Sequence, residues 1–172
     1  MMDDADELDL AVEFAGMRLP NPIILASGIA DETAGSMIRA VREGAGGVVT
    51  KSLNIGGRDG HPNPVVVELE DGLINAMGLP NPGIEEYGRE IREYLRVTGG
   101  GRPIIGSVFG STTEEYADAA DLIVKKGVHA VEINGSCPNA KGLGLEFGQD
   151  PAVIEDLVDS VVNSCDKPVF FK

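Results

Sequence analysis

Asn134-Gly135-Ser136-Cys137-Pro138-Asn139 brings two side-chain amides, a hydroxyl and a thiol into six residues. An apolar run, Val128-His-Ala-Val-Glu-Ile133, leads into it, so the cluster reads as the loop leaving a buried strand. Amides suit a planar substrate that both donates and accepts hydrogen bonds. A thiol, with an ordinary pKa of about 8.5, acts as a base near neutral pH when modestly tuned. A free cysteine is also commonly an inert buried thiol. Cys137, however, stands in a Gly/Pro/Asn loop, whereas Cys165, on the apolar side of a helix end, reads as structural. Other strand ends carry Ser27-Gly28, Lys51-Ser52, Ser107 and Lys172. The chain has only six lysines, and two of them close apolar strands: Lys51 after Gly47-Val-Val-Thr50, and Lys172 after Val169-Phe-Phe171. In a barrel or open α/β sheet such ends converge on one face, where ligands are handled. Asn75-Ala-Met-Gly-Leu-Pro-Asn81, taken alone, reads equally well as turn chemistry.

The elements that must position these residues alternate. Leu10 to Leu19 reads as a hairpin turning at Gly16, and Ile23 to Ala26 as a short apolar strand. Thr33 to Glu43 has helical spacing and stops at Gly44; Gly47 to Lys51 is a second buried strand. A Gly/Pro/Asn-rich loop over Ser52 to Pro64 precedes a second hairpin, Val65 to Leu69 and Leu73 to Asn75, turning at Asp71-Gly72. Asn81-Pro82 is expected to cap a helix running to about Arg96. Strands follow over Pro103 to Val108, Val128 to Ile133 and Pro168 to Lys172, with helices over Thr112 to Lys126 and from Asp150-Pro151 to Ser164. Five buried strands alternating with four helices argue a parallel α/β sheet, with the hairpins outside the alternation.

Composition excludes several classes of function. With 28 acidic against 14 basic residues, the net charge of −14 disfavours nucleic acid and anionic lipid as partners. The apolar runs are strand-sized, far short of the roughly 20 residues of a membrane span. The acidic first ten residues lack the order of a signal peptide, so a cytoplasmic protein is expected. Two cysteines form no disulfide framework, and two distant histidines add no metal-ligand spacing. His129 within its strand and His61 in the long loop offer Cys137 no oriented Cys–His pair. No phosphate-cradling glycine motif joins a strand to a helix, which argues against a nicotinamide-binding domain.

Together, Ile24-Leu-Ala-Ser-Gly28, Val49-Thr-Lys-Ser52, Leu73-Ile-Asn-Ala-Met-Gly-Leu-Pro-Asn-Pro-Gly83 and Glu132-Ile-Asn-Gly-Ser-Cys-Pro-Asn139 resemble the dihydroorotate dehydrogenase family. The blocks occur in the family's order and cover essentially the whole chain. Cys in the last block resembles the soluble class 1 enzymes, and Lys141-Gly-Leu-Gly-Leu-Glu-Phe-Gly-Gln-Asp-Pro151 is most similar to the class 1B branch. The resemblance implies a (β/α)8 TIM barrel with FMN at the C-terminal mouth of its strands, oxidising dihydroorotate to orotate in de novo pyrimidine biosynthesis. It assigns Ala26, Ser27, Gly28, Lys51, Ser52, Ser107, Asn134 and Lys172 to FMN. Asn75, Met77, Gly78, Leu79, Asn134 and Asn139, with Lys51, would hold the orotate ring and its carboxylate. Cys137 would take the proton from ring carbon 5 while hydride leaves carbon 6 for flavin nitrogen 5, and Lys172 would stabilise the charge of the reduced flavin.

Two departures from the family pattern stand out. Ser107 occupies a position where the family usually has Asn. The chain also carries about five strands and four helices of an eight-stranded fold that typically needs about 250 residues. Residues 1–172 are therefore expected to be the truncated N-terminal part of a single FMN-binding barrel domain. The remainder would supply a further substrate-binding Asn and the glycine-rich FMN phosphate loops. For the full-length protein the resemblance implies a homodimer and admits an iron–sulfur flavoprotein electron-transfer subunit. Two rival readings are a dihydropyrimidine dehydrogenase-like flavoprotein, a family that tends to have His at the place of Asn139, and a non-catalytic half-barrel.

Overall fold

Each core strand but the last in the computed structural model, which describes residues 9–136 and 149–172, leads through a helix to its parallel neighbour. The chain opens with a hairpin, β1 (Val12–Phe14) and β2 (Met17–Leu19). Then come β3 (Ile24–Leu25), α1 (Ala34–Arg42) and β4 (Gly47–Val49). A second hairpin, β5 (Val66–Leu69) with β6 (Gly72–Asn75), precedes α2 (Ile84–Thr98) and β7 (Ile104–Val108). The rest is α3 (Thr113–Val124), β8 (Ala130–Ile133), α4 (Pro151–Ser164) and β9 (Val169–Phe171).

The five core strands lie side by side in chain order, β3-β4-β7-β8-β9, all parallel. A doubly wound sheet reverses its order at a switch point, whereas a barrel does not. Sequential order is thus the arrangement of a (β/α) barrel wall. Because side chains alternate along each strand, the wall has two differently packed faces. Val48, Ile104, Val108, Val131 and Ile133 point outward into a core shared with the helices, where Tyr87, Ile91, Tyr116, Ile123 and Leu157 are fully or almost fully buried. Ile24, Val49, Ile105, Ala130 and Phe170 point inward and pack with Met17 and Leu19 of the first hairpin. Phe14 stacks on Phe170 with ring centroids 4.8 Å apart, so that hairpin plugs the low end of the inner face.

The helices start where local chemistry starts them. Thr33 and Ser36 form a capping box on α1, Thr112 accepts from the Glu115 amide, and Asp150 accepts from Ala152 with Pro151 in the first turn. Helix α2 departs from expectation. It begins at Ile84, with Gly83 at φ 88° as its N-cap, while Asn81 Oδ1 accepts from the Gly83 amide one step earlier. A Cβ on Gly83 would lie 2.9 Å from the Ile55 carbonyl oxygen, so close approach as well as positive φ requires glycine there.

Gly46, entering β4, is tighter still. Its amide donates to the Ile23 carbonyl, and a Cβ would fall 2.2 Å from the Asn21 carbonyl oxygen. Gly46→Ala is expected to cost about 1–3 kcal/mol by forcing backbone apart. The check is a lower urea midpoint at unchanged m-value. Among the described residues no helix is long and apolar enough to cross a membrane.

Candidate functional site at the strand C-termini

The inner face changes character along the strands. Below, it is apolar (Ile24, Val49, Ile105, Ala130, Phe170); one step further, alternation places Ala26, Lys51, Ser107, Glu132 and Lys172 there, with Asn134 beyond. A cleft of roughly 640 Å³ opens over this upper layer. Its walls include Ala26, Ser27, Gly28, Lys51, Ser52, Asn134 and Lys172 from the strand ends. Asn75 at the end of β6, with Met77, Gly78, Leu79 and Pro80 after it, closes it from one side. The cleft therefore brings together almost all the residues picked out above. Ser107 is the exception, fully buried beneath the cleft floor and connected to it through Ser52. Cys137 and Asn139 lie outside the described residues, although Ser136, immediately before Cys137, is on the cleft wall.

Hydrogen bonds tie four adjacent strand ends into one chain with a fixed direction. Ser107 Oγ donates to Glu132 Oε1 at 2.9 Å, which uses its only proton. Ser52 must then donate to Ser107 across their 2.9 Å contact. Ser52 in turn accepts from Asn134 Nδ2 at 2.9 Å and from Ser27 across 3.2 Å. The chain ends on the nearly buried Glu132 carboxylate, which also receives Lys172 Nζ at 2.6 Å. Asn134 completes its amide by accepting from Ser136 N and Oγ through Oδ1, at 3.2 and 3.3 Å.

Lys51 is held differently. Its Nζ reaches Gly28 O at 3.2 Å and Glu32 Oε1 at 3.0 Å, and its side chain is 9% exposed while that of Glu32 is 53% exposed. Beneath this loop Asp31 is fully buried; its Oδ2 accepts from the Gly28 amide at 2.7 Å, and Tyr87 Oη donates to its backbone carbonyl. Burial pushes the Tyr87 phenol well above its usual range, so it stays a donor. Burial also pushes the Asp31 carboxyl up, against the lowering effects of the Gly28 amide and Lys51. The folded chain thus holds the Asp31 proton more tightly than the unfolded chain, and the ionised form costs stability at neutral pH. Asp31→Asn is expected to gain most over the native chain at neutral pH. The gain should shrink as pH falls from the raised folded value to the unfolded value of 3.8. Paired denaturation curves across that range check it.

The cleft suits an anionic, planar ring system. Two cations, several amide and hydroxyl groups and a backbone loop at Gly28, where a Cβ would meet nothing within 4 Å, face it alongside Leu25, Ile29, Met77 and Leu79. That donor set fits FMN, with apolar side chains for the ring and cations for its polar end. Other chemistries find less support. His129 sits at the opposite end of β8, its Nδ1 accepting from the Ile104 amide at 3.2 Å, and Cys165 packs against the outer core. Among the described residues no group of three His, Cys, Asp or Glu side chains could hold a metal ion. Glu132 and Asp31 were not singled out from sequence. For Glu132 there was a signal, a lone acid inside the buried run Val128 to Ile133; Asp31 had none.

Comparison with known proteins agrees. The family described as dihydroorotate dehydrogenase matches residues 9–172. Relatives named dihydroorotate dehydrogenase B (NAD(+)), catalytic subunit, include one from Thermoplasma volcanium, 47% identical over 95% of this chain and 54% of its own. Another, from Pyrococcus horikoshii, is 49% identical over 95% of this chain and 52% of its own. The one from Methanocaldococcus jannaschii is 41% identical over 96% and 54%. This chain thus spans about half the length of these relatives. A solved structure of DHODH from Eimeria tenella, in complex with ferulenol, superposes with a TM-score of 0.76 over 91% of this chain and 43% of its own. At 20% identity that likeness speaks for the fold alone: the five-stranded wall is part of a TIM barrel. A barrel wall, its polar upper layer and a match across residues 9–172 lead to one conclusion: this chain belongs to the dihydroorotate dehydrogenase family.

Proposed function

We propose that the protein oxidises dihydroorotate to orotate in pyrimidine biosynthesis, using FMN in the strand-end cleft. The observation that carries this reading is the convergence of Lys51, Asn75, Met77, Gly78, Leu79, Asn134 and Lys172 on one cleft, from four separate parts of the chain. FMN, when bound, supplies the acceptor for the hydride that leaves ring carbon 6. Ala26, Ser27, Gly28, Lys51, Ser52, Asn134 and Lys172 would hold it, with Ser107 acting from below through Ser52. Lys51, Asn75, Asn134 and Asn139 hold the substrate ring and its carboxylate, while Met77, Gly78 and Leu79 shape the wall beside it. Cys137 takes the proton from ring carbon 5 as a general base.

The relatives are named catalytic subunits, which supports class 1B and a partner subunit. An iron–sulfur flavoprotein subunit and a homodimer of the catalytic chain complete the proposed assembly, in the cytoplasm. The competing substrate is a dihydropyrimidine without the carboxylate. Turnover of dihydroorotate and dihydrouracil, compared in the chain completed to its relatives' length, separates the two. Preference for dihydrouracil would overturn the orotate reading.

The 172 residues by themselves invite a second reading, because among the described residues β3 and β9 each pair on one side only. Open strand edges and a cleft walled on part of its circumference suit a half-barrel that holds flavin weakly. Titrating the isolated 172-residue chain with FMN tests this: weak binding is expected, and tight stoichiometric binding would contradict it.

A further inference from the structure

The two cations of the cleft are each paired with a glutamate, but in opposite surroundings. Lys51 meets Glu32, whose side chain is 53% exposed, so water and salt screen that carboxylate and leave Lys51 a working positive charge. Lys172 meets Glu132 at 2.6 Å, and there the carboxylate is the hidden member, its side chain only 11% exposed against 43% for the lysine. A charge away from water is screened much less. The Glu132 carboxylate therefore offsets the field of Lys172 at the cleft wall far more than Glu32 offsets that of Lys51. Glu132 is also the terminus of the ordered hydroxyl chain, accepting from Ser107, so its charge fixes the direction of the donors behind Ser52.

We propose that Glu132 is a positioning residue that sets the redox poise of the bound flavin. It fixes the Lys172 ammonium at the cleft wall and offsets part of its charge, which lowers the flavin's reduction potential and keeps reduced flavin a ready donor for the next acceptor. This rests on the reading of the cleft as an FMN site. Glu132 is no catalytic residue; it lies behind Lys172 and acts through it. Removing its charge makes the cleft more positive and so favours any negative charge that develops on the ring.

Two readouts register that charge without turnover: the midpoint potential, and the dissociation constant of sulfite. Sulfite forms a bond from its sulfur lone pair to flavin nitrogen 5, and the displaced electron pair leaves negative charge on the ring. In the FMN-loaded protein completed to its relatives' length, Glu132→Gln is expected to bind sulfite about tenfold more tightly. A tenfold change in a two-electron equilibrium corresponds to a potential about 30 mV higher. Gln keeps the shape and the acceptor for Ser107, while Lys172, 43% exposed, can be hydrated in place of its partner. Glu132→Ala removes the charge with a different shape and must move both readouts in the same direction, so the test survives if one variant fails to load flavin. Glu132→Asp, which retains the charge, should stay within about twofold of native, as should Glu32→Gln. Native protein that loads FMN, with Gln and Ala variants matching it in sulfite affinity and potential, overturns the inference alone. Native protein that takes up no FMN overturns the cofactor reading and this inference with it.

Discussion

Cys137→Ser is expected to slow dihydroorotate oxidation near neutral pH by about 10²- to 10⁴-fold, the usual contribution of a positioned general base. A serine hydroxyl occupies nearly the same space but is far less acidic than a thiol, so the variant should bind orotate and flavin normally while losing the proton acceptor. The loss must fall on the reductive half-reaction, read as anaerobic bleaching of the flavin in stopped flow. The described residue before it supports this assignment: Ser136 is on the cleft wall and tied to Asn134 Oδ1. A serine variant with native rate at pH 7 removes Cys137 as the base.

Lys51→Met should weaken binding of both flavin and orotate, by about 2–5 kcal/mol where the lost charge faced a buried anionic partner, or roughly 30- to several-thousand-fold. The fold should tolerate it. Glu32 is 53% exposed and becomes hydrated when its lysine is gone, and the methionine stem replaces the apolar length of the lysine. Separate titrations of FMN and orotate, with a melting curve as control, check both halves. A variant that melts like native yet binds neither ligand supports direct contact by Lys51. One that unfolds would give the ion pair a structural role instead.

The sequence made the barrel wall legible because its central strands β4, β7 and β8 are buried on both faces, and short apolar runs closed by polar residues mark all five. Lys51 and Lys172 were conspicuous for the same reason, as charges ending apolar runs. What lay beyond sequence was the third dimension of the polar layer. Nothing in the order of residues says that Ser107 sits under Ser52, that Ser27, Ser52, Ser107 and Glu132 hand hydrogen bonds in one direction, or that Asp31 folds back to hold the Gly28 amide. Those contacts join residues 25 to 55 positions apart, except for the local one at Asp31, and depend on strand register. Asn81-Pro82 carries strong helix-start signals, yet α2 starts only at Ile84. The backbone instead needs Gly83 in a positive-φ turn against Ile55 before the helix begins.

Anaerobic addition of dihydroorotate to the FMN-loaded protein, completed to the length of its relatives, is the most direct measurement. The flavin absorbance should bleach with one equivalent of dihydroorotate and produce one equivalent of orotate. Bound flavin that dihydroorotate leaves oxidised, or that dihydrouracil reduces in its place, would contradict the proposed reaction.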